Sequence, residues 1–124
     1  VINAAAYTAV DKAQDDRATT FAVNRDGPAY LAEARADHGI PLIHVSTDYV
    51  FDGDKSGPYT EEDTVAPLGV YGESKRAGED AIRDRLLQHV IPRTAWVHGI
   101  HGHDFVKTML RIGAERDLLR VVDD

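Results

Sequence analysis

An α/β fold built on a doubly wound parallel sheet is predicted by three features of the sequence. Short apolar runs recur at intervals, helix-length segments with helical periodicity separate them, and one long turn-rich loop lies between residues 48 and 69. Val1–Ala4 is apolar and followed by small residues, as a buried strand running into a loop would be. Asp15 and Asp16 carry N-cap chemistry, and acidic groups suit the positive end of a helix dipole. Val23, Tyr30, Leu31 and Ala34 then fall on one stripe at helical spacing. Gly27-Pro28 interrupts that stretch and predicts two helical pieces or a kink around residues 24–28. Gly39 stands where a left-handed residue would end the helix, and Pro41 supports the stop.

Leu42-Ile43-His44-Val45-Ser46 is the second buried strand expected. Residues 48–69 hold Asp52, Gly53, Asp54, Gly57, Pro58 and Pro67, which is turn chemistry throughout, and long ordered loops in compact domains are usually functional. Val70 to Gln88 has a helical pattern, with Ala77, Ala81 and an Ile82/Leu86 pair four residues apart. His89–Arg93 reads as a third strand whose ladder Pro92 limits. Val97–His103 is a Gly- and His-rich loop, Phe105, Met109 and Ile112 mark another helix, and Leu118–Val122 a last strand. Alternation of strand and helix implies parallel strands with helices on both faces and right-handed crossovers.

The 124 residues carry a formal charge of −7, with 43% hydrophobic and 28% charged side chains and no Cys. One soluble domain of ordinary composition fits those fractions. An acidic chain without a basic run matches a phosphate backbone poorly, so nucleic acid is not an expected partner. The lack of Cys removes disulfides and thiolate metal sites. No apolar run approaches the roughly 20 residues that span a bilayer. The sequence begins Val1-Ile2-Asn3 without Met or a charged leader and closes on Val121-Val122-Asp123-Asp124, so a piece of a larger, cytoplasmic protein is expected.

In open α/β sheets, ligands lie beyond the carboxyl ends of the strands. That rule selects Ala5–Thr8, Ser46–Tyr49 and Thr94–Trp96, where small residues and hydroxyls admit a flat ligand. Trp96 can cover one face of a ring, or it can be a core residue. Tyr71 and Lys75, four residues apart in Tyr71-Gly72-Glu73-Ser74-Lys75, share a helix face. A phenol titrates near 10 and an adjacent ammonium lowers that value, so such a pair can exchange a proton with a carbonyl oxygen while hydride moves at its carbon. The same spacing also suits a surface Tyr lying over a Lys stem. His98-x-x-His101-x-His103-Asp104 matches no metal-ligand pattern and reads as a solvated loop, so no metal ligand is assigned. Glu61-Glu62-Asp63 reads as a solvated acidic face rather than an acid–base group.

The Tyr71-x-x-x-Lys75 pair follows the block Ser46-Thr47-Asp48-Tyr49-Val50-Phe51-Asp52-Gly53. Three further blocks stand in order around them: Asn3 to Ala13, Pro67-Leu68-Gly69-Val70 and Arg93-Thr94-Ala95-Trp96-Val97, with Phe105–Leu110 a fifth. Together these resemble the extended short-chain dehydrogenase/reductase family over essentially the whole chain, closest to its branch that reduces the C4 keto group of dTDP-4-dehydro-L-rhamnose in nucleotide-sugar and cell-surface polysaccharide synthesis. The resemblance implies that Tyr71 donates a proton to the C4 oxygen. It implies that Lys75 holds the nicotinamide ribose and lowers the Tyr71 pKa, and that Thr47 hydrogen-bonds the reacting oxygen. Ala6, Tyr7, Thr8, Tyr71 and Lys75 would bind NADPH or NADH, and Thr47, Asp48 and Trp96 the deoxysugar. Residues 1–124 would then be the central and C-terminal part of a Rossmann-like nucleotide-binding domain, without its Gly-rich phosphate loop, the residue that selects NADH or NADPH, and the substrate domain. A nucleotide sugar, a homodimer partner and Mg2+ in the full-length protein complete the implied set.

Two features depart from the family. His98 stands where it usually has Tyr, and Tyr49 follows Asp48 where the related dehydratases have an acidic residue, which favours reduction over elimination. The regulatory subunit of methionine adenosyltransferase shares these motifs as a non-catalytic partner, and a sugar-nucleotide epimerase is a further alternative.

Overall fold

The computed structural model describes residues 1–121. It divides into two units, one spanning Val1–Thr94 and a second from Ala95 onward. In the first, β1 (Ile2–Asn3) leads through a loop to α1 (Val10–Ala13) and α2 (Arg17–Phe21), where the Asp16 side chain accepts a hydrogen bond from Thr19 N. A π-helical turn (Ala22–Asp26) joins α2 to α3 (Gly27–Ala36). The interruption expected at Gly27-Pro28 thus takes the form of a widened turn within a continuous helical run, with Pro28 in the first turn of α3. Gly39 adopts φ 61°, a left-handed conformation that suits glycine.

The next strand is two short pieces, β2 (Leu42–His44) and β3 (Ser46–Thr47), followed by a 3-10 turn over Asp48–Val50. α4 (Val70–Arg85) follows the long loop, and β4 (His89–Val90) and β5 (Arg93–Thr94) stand either side of Pro92. Strands pair in parallel in the orders β1-β2-β4 and β3-β5. The Pro92 carbonyl still accepts from Ser46 N, so the proline removes a donor without parting the strands.

Asn3, Leu42 and His44 point into the unit, whereas Ile2, Ile43 and Val90 point outward. One face of this sheet is therefore covered within the unit, where helices on both faces were expected. Ala32, Leu42, Ile82 and Leu86 form the apolar core beneath it. The stripe of Val23, Tyr30, Leu31 and Ala34 is not the buried one. Thr20, Asn24, Pro28 and Ala32, also at helical spacing, are buried instead. Their small or compact side chains permit close approach to α4, where a Cβ on Gly78 would lie 2.1 Å from the Asn24 carbonyl oxygen.

The second unit holds a loop and α5 (Phe105–Glu115), capped by Asp104, which accepts from Lys107 N at 2.8 Å. No residue of α5 is buried. The final strand expected over Leu118–Val122 does not form among the described residues, and Val122 lies outside them. No helix among the described residues is long and apolar enough to cross a membrane.

Candidate active site

The carboxyl ends of β1, β2 and β3 gather most of the residues selected from the sequence. Thr47 is buried, and its hydroxyl donates to Asp48 Oδ1 at 3.0 Å and accepts from Tyr49 N at 3.2 Å. Asp48 itself is exposed. Tyr71 stands in the first turn of α4, with its ring edge-on to Tyr49 at 5.6 Å. This turn lies hard against the Thr47 loop, because a Cβ at Gly72 would meet the Tyr49 carbonyl oxygen at 2.2 Å.

Burial pushes the Tyr71 hydroxyl above its usual range; the Thr47 side chain acts against this, while Asp48 and Tyr49 add to it. The expected lowering by Lys75 does not occur in this arrangement. Lys75 is instead buried one turn along α4, and its Nζ donates to the Val45 carbonyl at 2.7 Å and faces His44 Nε2 at 3.4 Å. Burial lowers the Lys75 pKa, with Glu79 opposing. The phenol therefore stays protonated at neutral pH.

Ala6, Tyr7 and Thr8 lie in the loop after β1, with Ala6 and Tyr7 half-buried and Thr8 exposed. Asn24 fixes this loop: its Oδ1 accepts from Tyr7 N at 2.8 Å and its Nδ2 donates to Tyr7 O at 3.1 Å. The same Nδ2 lies 3.0 Å from Ser74 Oγ, which donates to the Tyr71 carbonyl, so one side chain ties the β1 loop to the start of α4. Small residues in a fixed loop, together with Tyr71 and Lys75, fit the nicotinamide end of a dinucleotide. The sequence holds no G-x-G-x-x-G motif to receive its phosphates.

Trp96 belongs to the second unit, where it is 73% exposed and packs edge-on against Phe105 at 4.7 Å. Its φ of 49° is uncommon for a bulky side chain. His98, His101 and His103 are exposed, and among the described residues no group of three or more His, Cys, Asp or Glu could hold a metal ion. Glu61 and Glu62 are exposed, while Asp63 binds Lys55 Nζ at 2.6 Å and the Thr60 amide at 2.6 Å, steadying the loop. A cleft of about 410 Å³ opens beside Asp48, lined by Phe51, Tyr59, Arg83 and Arg93 among others.

Three buried polar residues that position this site escaped the sequence reading: Asn24, His44 and Glu79. Glu79 accepts from Ser46 Oγ at 2.6 Å and from both forks of Arg93 at 3.0 and 2.7 Å, joining α4 to β3 and β5. Burial pushes its carboxyl up, but Arg93 and Ser46 outweigh that and hold it below its usual value. The signal was present, since Tyr71, Lys75 and Glu79 continue one four-residue spacing.

The RmlD substrate binding domain is the family model that matches, over residues 1–124. A dTDP-4-dehydrorhamnose reductase from Sinorhizobium fredii is 53% identical over the whole chain, which spans 42% of that protein's length. A crystal structure of a dTDP-4-dehydrorhamnose reductase from Clostridium acetobutylicum superposes with TM-score 0.95 at 43% identity, over 98% of this chain and 43% of that one. One from Bacillus anthracis, in complex with NADP, gives TM-score 0.89 at 43% identity, over 93% of this chain and 41% of that one.

Proposed function

The chain belongs to the RmlD substrate binding domain family, and from that premise we propose that the full-length protein reduces the C4 keto group of dTDP-4-dehydro-L-rhamnose with NADPH or NADH. The carrying observation is the convergence of Thr47, Tyr71 and Lys75 at the carboxyl ends of β2 and β3. The Bacillus anthracis relative is seen in complex with NADP, and the curated relatives bear the reductase name. When bound, the nicotinamide supplies the hydride.

The chain's own residues supply orientation and the proton. Tyr71, kept protonated by burial, donates its hydroxyl proton to the C4 oxygen as that oxygen gains negative charge. Thr47, which already acts on the Tyr71 hydroxyl, hydrogen-bonds the same oxygen. Lys75, its Nζ fixed on the Val45 carbonyl, holds the ribose. Ala6, Tyr7 and Thr8 line the cofactor; Asp48 contacts the sugar. Asn24 acts by holding the Tyr7 backbone and the first turn of α4 in one register.

Tyr71→Phe in the full-length protein removes the proton donor and leaves cofactor binding in place. Oxidation of NADPH with dTDP-4-dehydro-L-rhamnose should fall by about 10²–10⁴-fold. Turnover near the wild-type rate would refute the assignment.

A further inference from the structure

The functional reading gives no role to His44, a fully buried titratable residue. His44 has no exposed surface and sits on β2 directly beneath Lys75. Its two ring nitrogens meet nitrogen groups on both sides. Asn3 Nδ2 lies 3.0 Å from Nδ1, and Lys75 Nζ lies 3.4 Å from Nε2. The Asn3 amide is oriented by the Ala5 N–H, which donates to Asn3 Oδ1 at 3.1 Å.

A charged imidazolium would oppose an N–H to an N–H group at each of these contacts, so the ring is neutral. Burial and the neighbouring Lys75 push it the same way, down to about 4, with Glu79 opposing. Lys75 and Glu79, both on α4, are the charged groups acting on the ring; β1 contributes only the Asn3 amide. A neutral imidazole has one lone pair and one N–H. It therefore accepts from an ammonium through Nε2, or donates from Nε2 to an amine, and its tautomer follows the charge on Lys75. With an ammonium, Nδ1 carries the proton and the Asn3 amide must turn, giving up its bond from Ala5.

We propose that His44 is a positioning residue for the reduction, a neutral partner that holds the Lys75 nitrogen against the Val45 carbonyl and adjusts to its charge. The proposal rests on the functional reading above for its consequence in turnover, but the contact itself can be tested without turnover. Misplacing a catalytic group by about 1 Å can cost about 10²-fold.

In the full-length protein, His44→Leu should lower kcat by about 10- to 100-fold and shift the pH profile of kcat, with the KM for the keto sugar nearly unchanged. His44→Gln, whose amide reaches the Nε2 position, should restore most of the rate. His44→Asn, whose amide reaches only the Nδ1 position, should not. That pair decides the matter if His44→Leu fails to fold, and equal rates for Gln and Asn, or a wild-type kcat and pH profile in Leu, would overturn the role. If the wild-type protein does not reduce the keto sugar, the functional reading fails instead. Independently of turnover, Lys75→Met should move the 15N chemical shifts of the His44 ring, and unchanged shifts would overturn the contact.

Discussion

Two fully buried ionisable side chains, His44 and Glu79, set how the folded chain responds to acid. An unfolded histidine protonates near 6.5, whereas folded His44 does so only near 4, because burial and then Lys75 disfavour its charge. Between those values the unfolded state binds a proton that the folded state refuses, so stability falls as pH drops through the window. Glu79 adds to the loss further down. Its carboxyl is depressed on balance, so the stability it contributes is present above its unfolded pKa and disappears as pH falls through the folded one. Thermal melts of the full-length protein should therefore shift downward between about pH 6.5 and about pH 4, with His44 contributing of the order of 3 kcal/mol. His44→Gln should flatten that dependence. A melting midpoint insensitive to pH in this window would contradict the burial of a neutral ring.

At the scale of the element, α4 shows which parts of the site the sequence reveals. Tyr71 and Lys75 were legible because a four-residue spacing after a turn-rich loop has one geometric meaning, a shared helix face. Their partners were not, because Asn24 and His44 come from other elements and only tertiary packing brings them in. The same cause hid the buried stripe of α2, the π turn and α3. Apolar periodicity pointed to Val23 and Tyr30, yet the contact with α4 is so close that Thr20, Asn24, Pro28 and Ala32 occupy it. Gly78 is the matching concession on α4. Gly78→Ala would set a Cβ 2.1 Å from the Asn24 carbonyl and force the helices apart. It should destabilise the protein by about 1–3 kcal/mol, read as a lowered denaturation midpoint, and loosen the Asn24 bonds to Tyr7. Gly57→Ala, with nothing within 4 Å and no positive φ, should change stability by under about 0.5 kcal/mol. Equal effects at the two glycines would show that the close approach is not real.

At the scale of the whole molecule, the parallel pairing was readable from alternation alone, and the single covered face was not. Ile2, Ile43 and Val90 satisfy the apolar strand pattern whether or not anything lies over them. The chain spans 42% of the Sinorhizobium fredii relative's length. Under the proposed function, Tyr71, Lys75 and the Ala6–Thr8 loop serve the nicotinamide end. A pyrophosphate, by contrast, is held by backbone N–H groups of a glycine-rich turn at a helix N-terminus, and these 124 residues contain no such motif. Phosphate contacts that are charge-assisted contribute more than neutral ones, so under the proposed function these residues hold the more weakly bound end of the cofactor. Titrating the 124-residue chain with NADPH, followed by nicotinamide fluorescence or calorimetry, should give no saturable binding below the millimolar range, while the full-length protein saturates. Tight, saturable binding by the chain alone would mean that its own loops cradle the phosphates, and the assignment of Ala6–Thr8 to the nicotinamide end would have to be withdrawn.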